Sequence, residues 1–150
     1  MDAEKTLKKI FKRLNTDDFD ITASLEKAMD ETGFDFESDS KEIIDYISPE
    51  MDKISARIHE IQNEAKAILL ESGVTETMLA WGRVESAKPT PKNRKRFEKL
   101  YKEQERQYDF YLGLYLVESI IMKRSDYKFT PHPMIYLKGT EELLSKAWKK

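Results

Sequence analysis

Met51, Ile54, Ile58, Ile61, Ala65 and Ile68 recur at intervals of 3, 4, 3, 4 and 3 residues. That spacing keeps six apolar side chains on one stripe of an α-helix and cannot serve a strand, whose faces alternate at every residue. A chain that carries such a stripe has to bury it, on itself or on a partner. The β-branched bias of the seam suits a coiled coil. Three heptads is the lower limit for that assembly, however, and an antiparallel helix of the same chain can cover the same seam. The intramolecular solution is the expected one, because most amphipathic helices of compact domains pack within their own chain.

The covering helix is expected from near Lys92 to about Lys123, roughly 45 Å long at the standard rise. Lys88-Pro89-Thr90-Pro91 precedes it. Each proline removes a donor and pushes its predecessor away from helical geometry, so this segment reads as a bend and not as a firm domain boundary. The long helix changes character along its length. Its first half is basic, with Phe97, Leu100, Tyr101 and Tyr108 as an apolar stripe, whereas Phe110 to Met122 is apolar almost all round and belongs in the core.

Shorter helices complete the pattern. Leu7, Ile10, Phe11 and Leu14 share one face, and Ile21, Leu25, Ala28 and Met29 follow a cap at Asp20 or Thr22, with Gly33 as the stop. Phe34 to Asp39 reads as a loop pinned by its two phenylalanines. Asp39 and Glu42 have capping-box spacing ahead of Ile43, Ile44 and Ile47, and Ser48-Pro49-Glu50 then carries the marks of a new helix start. Gly73 ends the seam helix, Thr75 caps the next one, Tyr127 to Leu137 is extended around Pro131 and Pro133, and Thr140 caps a closing helix with Leu143, Leu144, Ala147 and Trp148. The expected fold is all-α, a single-domain bundle of five to seven helices over residues 1–150. It has a long antiparallel helix pair and a Pro-containing extended segment near the C-terminus.

Composition narrows the function. With no cysteine there is no disulfide framework and no thiolate site, which favours a reducing, cytoplasmic setting. The longest apolar run, Phe110 to Met122, is thirteen residues with Glu118 inside it, against about 20 for a bilayer span. No membrane is expected.

Catalytic and metal signatures are missing together. Asp35, Glu37 and Asp39 alternate like the opening of a calcium loop, but Ser40 stands at the sixth position and Tyr46 at the twelfth, where that loop needs Gly and Glu. His59 and His132 each lack a second histidine at zinc spacing and a Glu three residues before. His59 is expected at the solvent edge of the seam and His132 in a loop between two prolines. The isolated glycines form no phosphate-cradling loop. No catalytic residue, cofactor or metal is expected. Glu118, alone within the apolar run, is expected at an exposed edge of its helix. The tyrosines at 101, 108, 111 and 115 fit one core-facing stripe with hydroxyls at its margin.

What remains is charge. Residues 15–52 carry thirteen Asp and Glu against two Lys, while Lys88 to Arg106 carries eight basic residues against three acidic. Segregation of this kind steers association. Cations at a helix start oppose the helix dipole, so the basic stretch calls for compensation from the chain's own acidic segment or from a partner. Lys92, Arg94, Lys95, Arg96, Phe97, Lys99, Tyr101 and Lys102 are the candidate partner-binding residues. The leading expectation is a non-enzymatic protein-interaction module, an assembly component or regulator, whose partner is another protein or a second copy of the chain. A small cysteine-free inhibitor of viral type would suit the profile, and no residue pattern demonstrates that origin. The alternative is a nucleic-acid-associated accessory protein in which Lys88 to Arg106 tracks phosphates and Phe97 or Tyr101 stacks on bases. The sequence pI of about 5.8 counts against it. An enzyme with a site assembled from scattered residues is the third reading.

Overall fold

The computed structural model describes residues 1–15, 17, 19–81, 83–84 and 87–135. Among them are five helices and no strand: α1 (Ala3–Arg13), α2 (Ile21–Glu31), α3 (Ser40–Glu71), α4 (Glu76–Ala80) and α5 (Pro91–Arg124). The chain is therefore all-α, as its periodicity predicts. The expected closing helix, and the last two residues of the expected extended segment, lie outside the described residues. No helix among the described residues is long and apolar enough to cross a membrane.

The chain divides into two compact units, and both long helices contribute to each. The first unit comprises Met1–Lys53 and Phe110–Met134. The Asp2 side chain caps α1 by accepting from the Lys5 N–H, and the Asp20 side chain caps α2 by accepting from the Ala23 N–H. Gly33 ends α2 with φ of 77°, a left-handed conformation that favours glycine. Leu7, Ile10, Leu25, Met29, Ile47 and Val117 are among the side chains that fill the core. Phe34 and Phe36 pin the loop before α3, edge to face with centroids 4.9 Å apart, and the Arg124 guanidinium lies 4.1 Å over the Phe36 ring. Gly113 lets α5 come close to α1, since a Cβ there would stand 3.2 Å from the Phe11 ring.

One helix start expected from sequence is absent. The Ser48-Pro49-Glu50 signal predicts a break, but α3 runs unbroken through Pro49. An internal proline removes a backbone hydrogen bond and costs about 3 kcal/mol. Ile43, Ile47 and Met51 stand at four-residue intervals across it and are fully buried. Each such side chain contributes about 1.5 to 3 kcal/mol on burial, so the continuous apolar face outweighs the break.

The second unit comprises Ile54–Asp109 with Ile135–Lys150. Ile61, Ala65, Ile68 and Leu69 of α3 pack with Val74, Val84 and, from α5, Phe97 and Leu100. The seam that opens the sequence argument is thus buried in this structure. Gly73 turns the chain out of α3 with φ of 93°, and the Thr75 hydroxyl caps α4 by accepting from the Met78 N–H. Lys88 to Pro91 lies inside this unit, where the Lys88 N–H donates to the Ser72 carbonyl at 2.8 Å. The Thr90 hydroxyl accepts from the Asn93 N–H in the first turn of α5.

Candidate functional site

Lys92, Lys95, Lys99, Lys102 and Arg106 follow one another on α5 at intervals of 3, 4, 3 and 4, and all five are exposed. The spacing lines their side chains along one side of the helix. Lys95, Lys99, Lys102 and Arg106, with Glu98 and Glu103, edge an open groove of about 340 Å³. None of the five cations has a carboxylate within ion-pair distance among the described residues.

Glu103 would neutralise part of this stripe if it were free. It is held instead by Arg57 of α3, whose Nε donates to Oε2 at 2.7 Å and whose Nη2 donates to Oε1 at 2.8 Å. Arg57 also reaches Glu60 at 3.1 Å and Glu64 at 3.5 Å. Hydrogen bonding to Arg57 holds the Glu103 carboxyl below the usual carboxylate range, and the bond to Glu103 raises the Arg57 guanidinium further still. Nearer the start of α5, Glu71 pairs with Arg96 at 3.8 Å and accepts from the Asn93 amide at 3.2 Å.

Of the eight residues that sequence marks as partner-binding, Lys92, Lys95, Arg96, Lys99 and Lys102 are exposed, while Arg94 and Tyr101 are half-buried. Phe97 is only 1 % exposed and belongs to the core of the second unit, so it presents no ring for stacking. The Arg94 Nε is buried and has no hydrogen-bond partner among the described residues. Arg106 extends the stripe by one more turn beyond the residues singled out from sequence.

The acidic segment finds cations of its own unit. Arg124 meets both carboxylate oxygens of Asp30 at 2.8 Å and Glu26 at 3.4 Å, Arg13 meets Glu31 at 3.7 Å, and Lys41 meets Asp45 at 2.9 Å. Asp35 turns into its own loop and accepts from the Glu37 and Ser38 N–H groups, which lowers its pKa. Among the described residues no group of three His, Cys, Asp or Glu could hold a metal ion.

A second polar arrangement lies in the first unit, where sequence reading places Glu118 at an exposed helix edge. The structure corrects this. Glu118 is 1 % exposed, and both its oxygens are engaged by His132: Oε1 accepts from the His132 backbone N–H at 2.9 Å, and Oε2 stands 2.7 Å from Nδ1. The other ring nitrogen, Nε2, stands 2.8 Å from Oδ1 of Asp52 on α3. Tyr111 of α5 donates its hydroxyl to the Pro133 carbonyl at 2.6 Å. His132 does sit in a non-helical segment, as expected, but it is largely enclosed between two carboxylates. Fourteen residues separate it from Glu118 along the chain, and no local periodicity announces such a pair.

Comparison of the chain with protein families, with characterised proteins and with solved structures finds no match.

Proposed function

We propose that the protein is a non-enzymatic protein-interaction module whose docking surface is the basic stripe of α5 and whose partner is an acidic polypeptide segment. The observation that carries this reading is the Arg57–Glu103 pair. It engages one of the two carboxylates that edge the groove, Glu103, and leaves Lys92, Lys95, Lys99, Lys102 and Arg106 without an ion pair among the described residues. From Lys92 to Arg106 the stripe spans about 21 Å at the helical rise, enough for an acidic helix or an extended peptide of several residues. Glu98 in the same groove interrupts the positive field, which an acidic polypeptide can meet by placing its carboxylates to either side and a continuous phosphate backbone cannot. The reading includes antiparallel α3 and α5 segments in the second unit, supported by the reversed order of their contacts: Arg57 with Glu103, then Glu71 with Arg96 and Asn93.

Binding to a poly-glutamate peptide and to a DNA duplex, each over a salt series, tests the proposal. The wild-type chain is expected to bind the acidic peptide at low salt. Replacing Lys95, Lys99, Lys102 and Arg106 together by Gln is expected to remove most of that binding without loss of helix, because all four are exposed. Tighter binding to the duplex, with a log-log salt slope of about −0.9 per contacted phosphate, would replace this reading with the nucleic-acid one.

A further inference from the structure

We propose that His132 is a proton-operated latch, which fastens residues 125–133 to α3 and α5 within the first unit and releases them when its ring loses a proton. Each ring nitrogen faces a carboxylate oxygen, Glu118 Oε2 at 2.7 Å and Asp52 Oδ1 at 2.8 Å. An ionised carboxylate only accepts, so both contacts are hydrogen bonds only when the imidazole carries two protons. In the neutral ring one nitrogen presents a lone pair to a carboxylate oxygen, and that contact turns repulsive.

The consequence is larger than one lost bond because Glu118 is buried. Its two oxygens are both satisfied by His132, one through the backbone N–H and one through the ring. A buried carboxylate whose counter-charge disappears is strongly destabilised. Water can rescue Glu118 if the segment over it lifts away.

Among the described residues, few other polar contacts hold the segment. Tyr111 donates to Pro133, and the Ser125 N–H donates to the Ile121 carbonyl at the helix end. Tyr127 and Phe129 stack on each other at 5.9 Å, and the Tyr127 N–H bonds to Ser125, so these contacts are internal to the segment.

The titratable groups around His132 come from both helices. Asp52 faces it from α3 and Glu118 from α5, while Tyr111 and Tyr115 of α5 are the neighbouring phenols. Asp126 and Lys128 of the segment itself are exposed. Burial pushes the Tyr111 hydroxyl up, with the Glu118 and Asp52 charges adding to the shift, so it stays neutral while His132 titrates. For His132, burial favours the neutral ring, and the hydrogen bonds to Glu118 and Asp52 overcome it, so its pKa is raised. A raised histidine contributes stability that is complete below its ordinary value of about 6.5 and is lost as pH climbs through the raised value. The latch is therefore closed in mild acid and opens in alkali.

Hydrogen–deuterium exchange of residues 125–133, corrected for the intrinsic rate at each pH, tests the latch alongside the NMR titration of the His132 ring. Protection is expected to fall at least tenfold between about pH 6 and pH 9.5, with its midpoint at the His132 titration, a window set by the ordinary histidine value. His132→Gln is expected to leave the segment exchanging fast at every pH. Asp52→Asn, at an exposed position, keeps the core intact and is expected to move both midpoints to lower pH together. Protection that stays constant across the window in the wild-type chain, or a midpoint that Asp52→Asn leaves in place, overturns the proposal.

Discussion

Arg57 grips both carboxylate oxygens of Glu103 at 2.7 and 2.8 Å across 46 residues of sequence. The pair joins an α3 side chain from beside the apolar seam to the flank of the basic stripe. Both groups retain partial solvent contact, and screening keeps such a pair well short of a buried one. Arg57→Ala is expected to cost about 1 kcal/mol at neutral pH, measured by urea unfolding. Because the Glu103 carboxyl is lowered in the folded chain, this stability is present above its ordinary value of about 4.3 and fades as pH falls through the lowered one. The wild-type and variant curves should converge in acid. The substitution also frees Glu103, so it is expected to weaken binding of an acidic peptide although Arg57 lies outside the stripe.

The seam gives the second prediction. Ile58 is 2 % exposed, whereas Leu116 is half-buried. Ile58→Ala is expected to cost about 2 to 5 kcal/mol, as for other packed aliphatic side chains. Leu116→Ala should cost clearly less, below about 2 kcal/mol, in proportion to the smaller area withdrawn from water. Denaturant midpoints at matched slope measure both. Equal losses would mean that the half-buried position is packed as tightly as the seam.

Pro49 stands inside α3 and is itself exposed. Pro49→Ala restores a backbone donor and relieves the ring's clash with the preceding turn, which together favour the helix by up to about 3 kcal/mol. The gain is reduced by the freedom the unfolded chain acquires, about 0.4 to 1 kcal/mol. A net rise of about 1 to 2 kcal/mol is expected, or several degrees in melting temperature for a chain of this size. A fall in melting temperature would show that α3 depends on the proline for its local geometry.

The helices and the seam were legible because they are written locally. Asp20, Gly33, Gly73 and Thr75 act where their residue types place them, and the 3-4 spacing marks a face that is buried. Pro49 was misread because a local stop signal competes with burial across it, and sequence gives the signal without the competing energy. The basic stripe was legible as a charge run, but Phe97 belongs to the core face of the same helix, and a list of neighbours in sequence mixes the two faces. The Arg57–Glu103 and His132–Glu118 pairs left no signature. Each depends on how segments far apart in the chain meet, and an isolated Glu in an apolar run reads equally well as an exposed edge or as half of a buried pair.

Glu118 supplies the last prediction, because its contribution should change sign with pH. Glu118→Gln keeps the shape of the side chain and removes the charge. In mild acid the wild-type carboxylate faces a protonated His132, and its loss is expected to cost about 1 to 3 kcal/mol, the range for hydrogen bonds to charged groups. In alkali His132 is neutral, and the wild-type chain has to keep a carboxylate that is 1 % exposed without its counter-charge. There the amide should be neutral or stabilising, since Gln can donate to the bare ring nitrogen and accept from the His132 backbone N–H. Unfolding free energies at about pH 6 and pH 9, either side of the ordinary histidine value, give the test. The two curves are expected to cross, and the Gln variant should show a lower His132 pKa, because one of the two hydrogen bonds that raise it is weakened. A constant difference between wild type and variant over that range would mean that Glu118 acts through packing and backbone bonding alone, with no part in the protonation of His132.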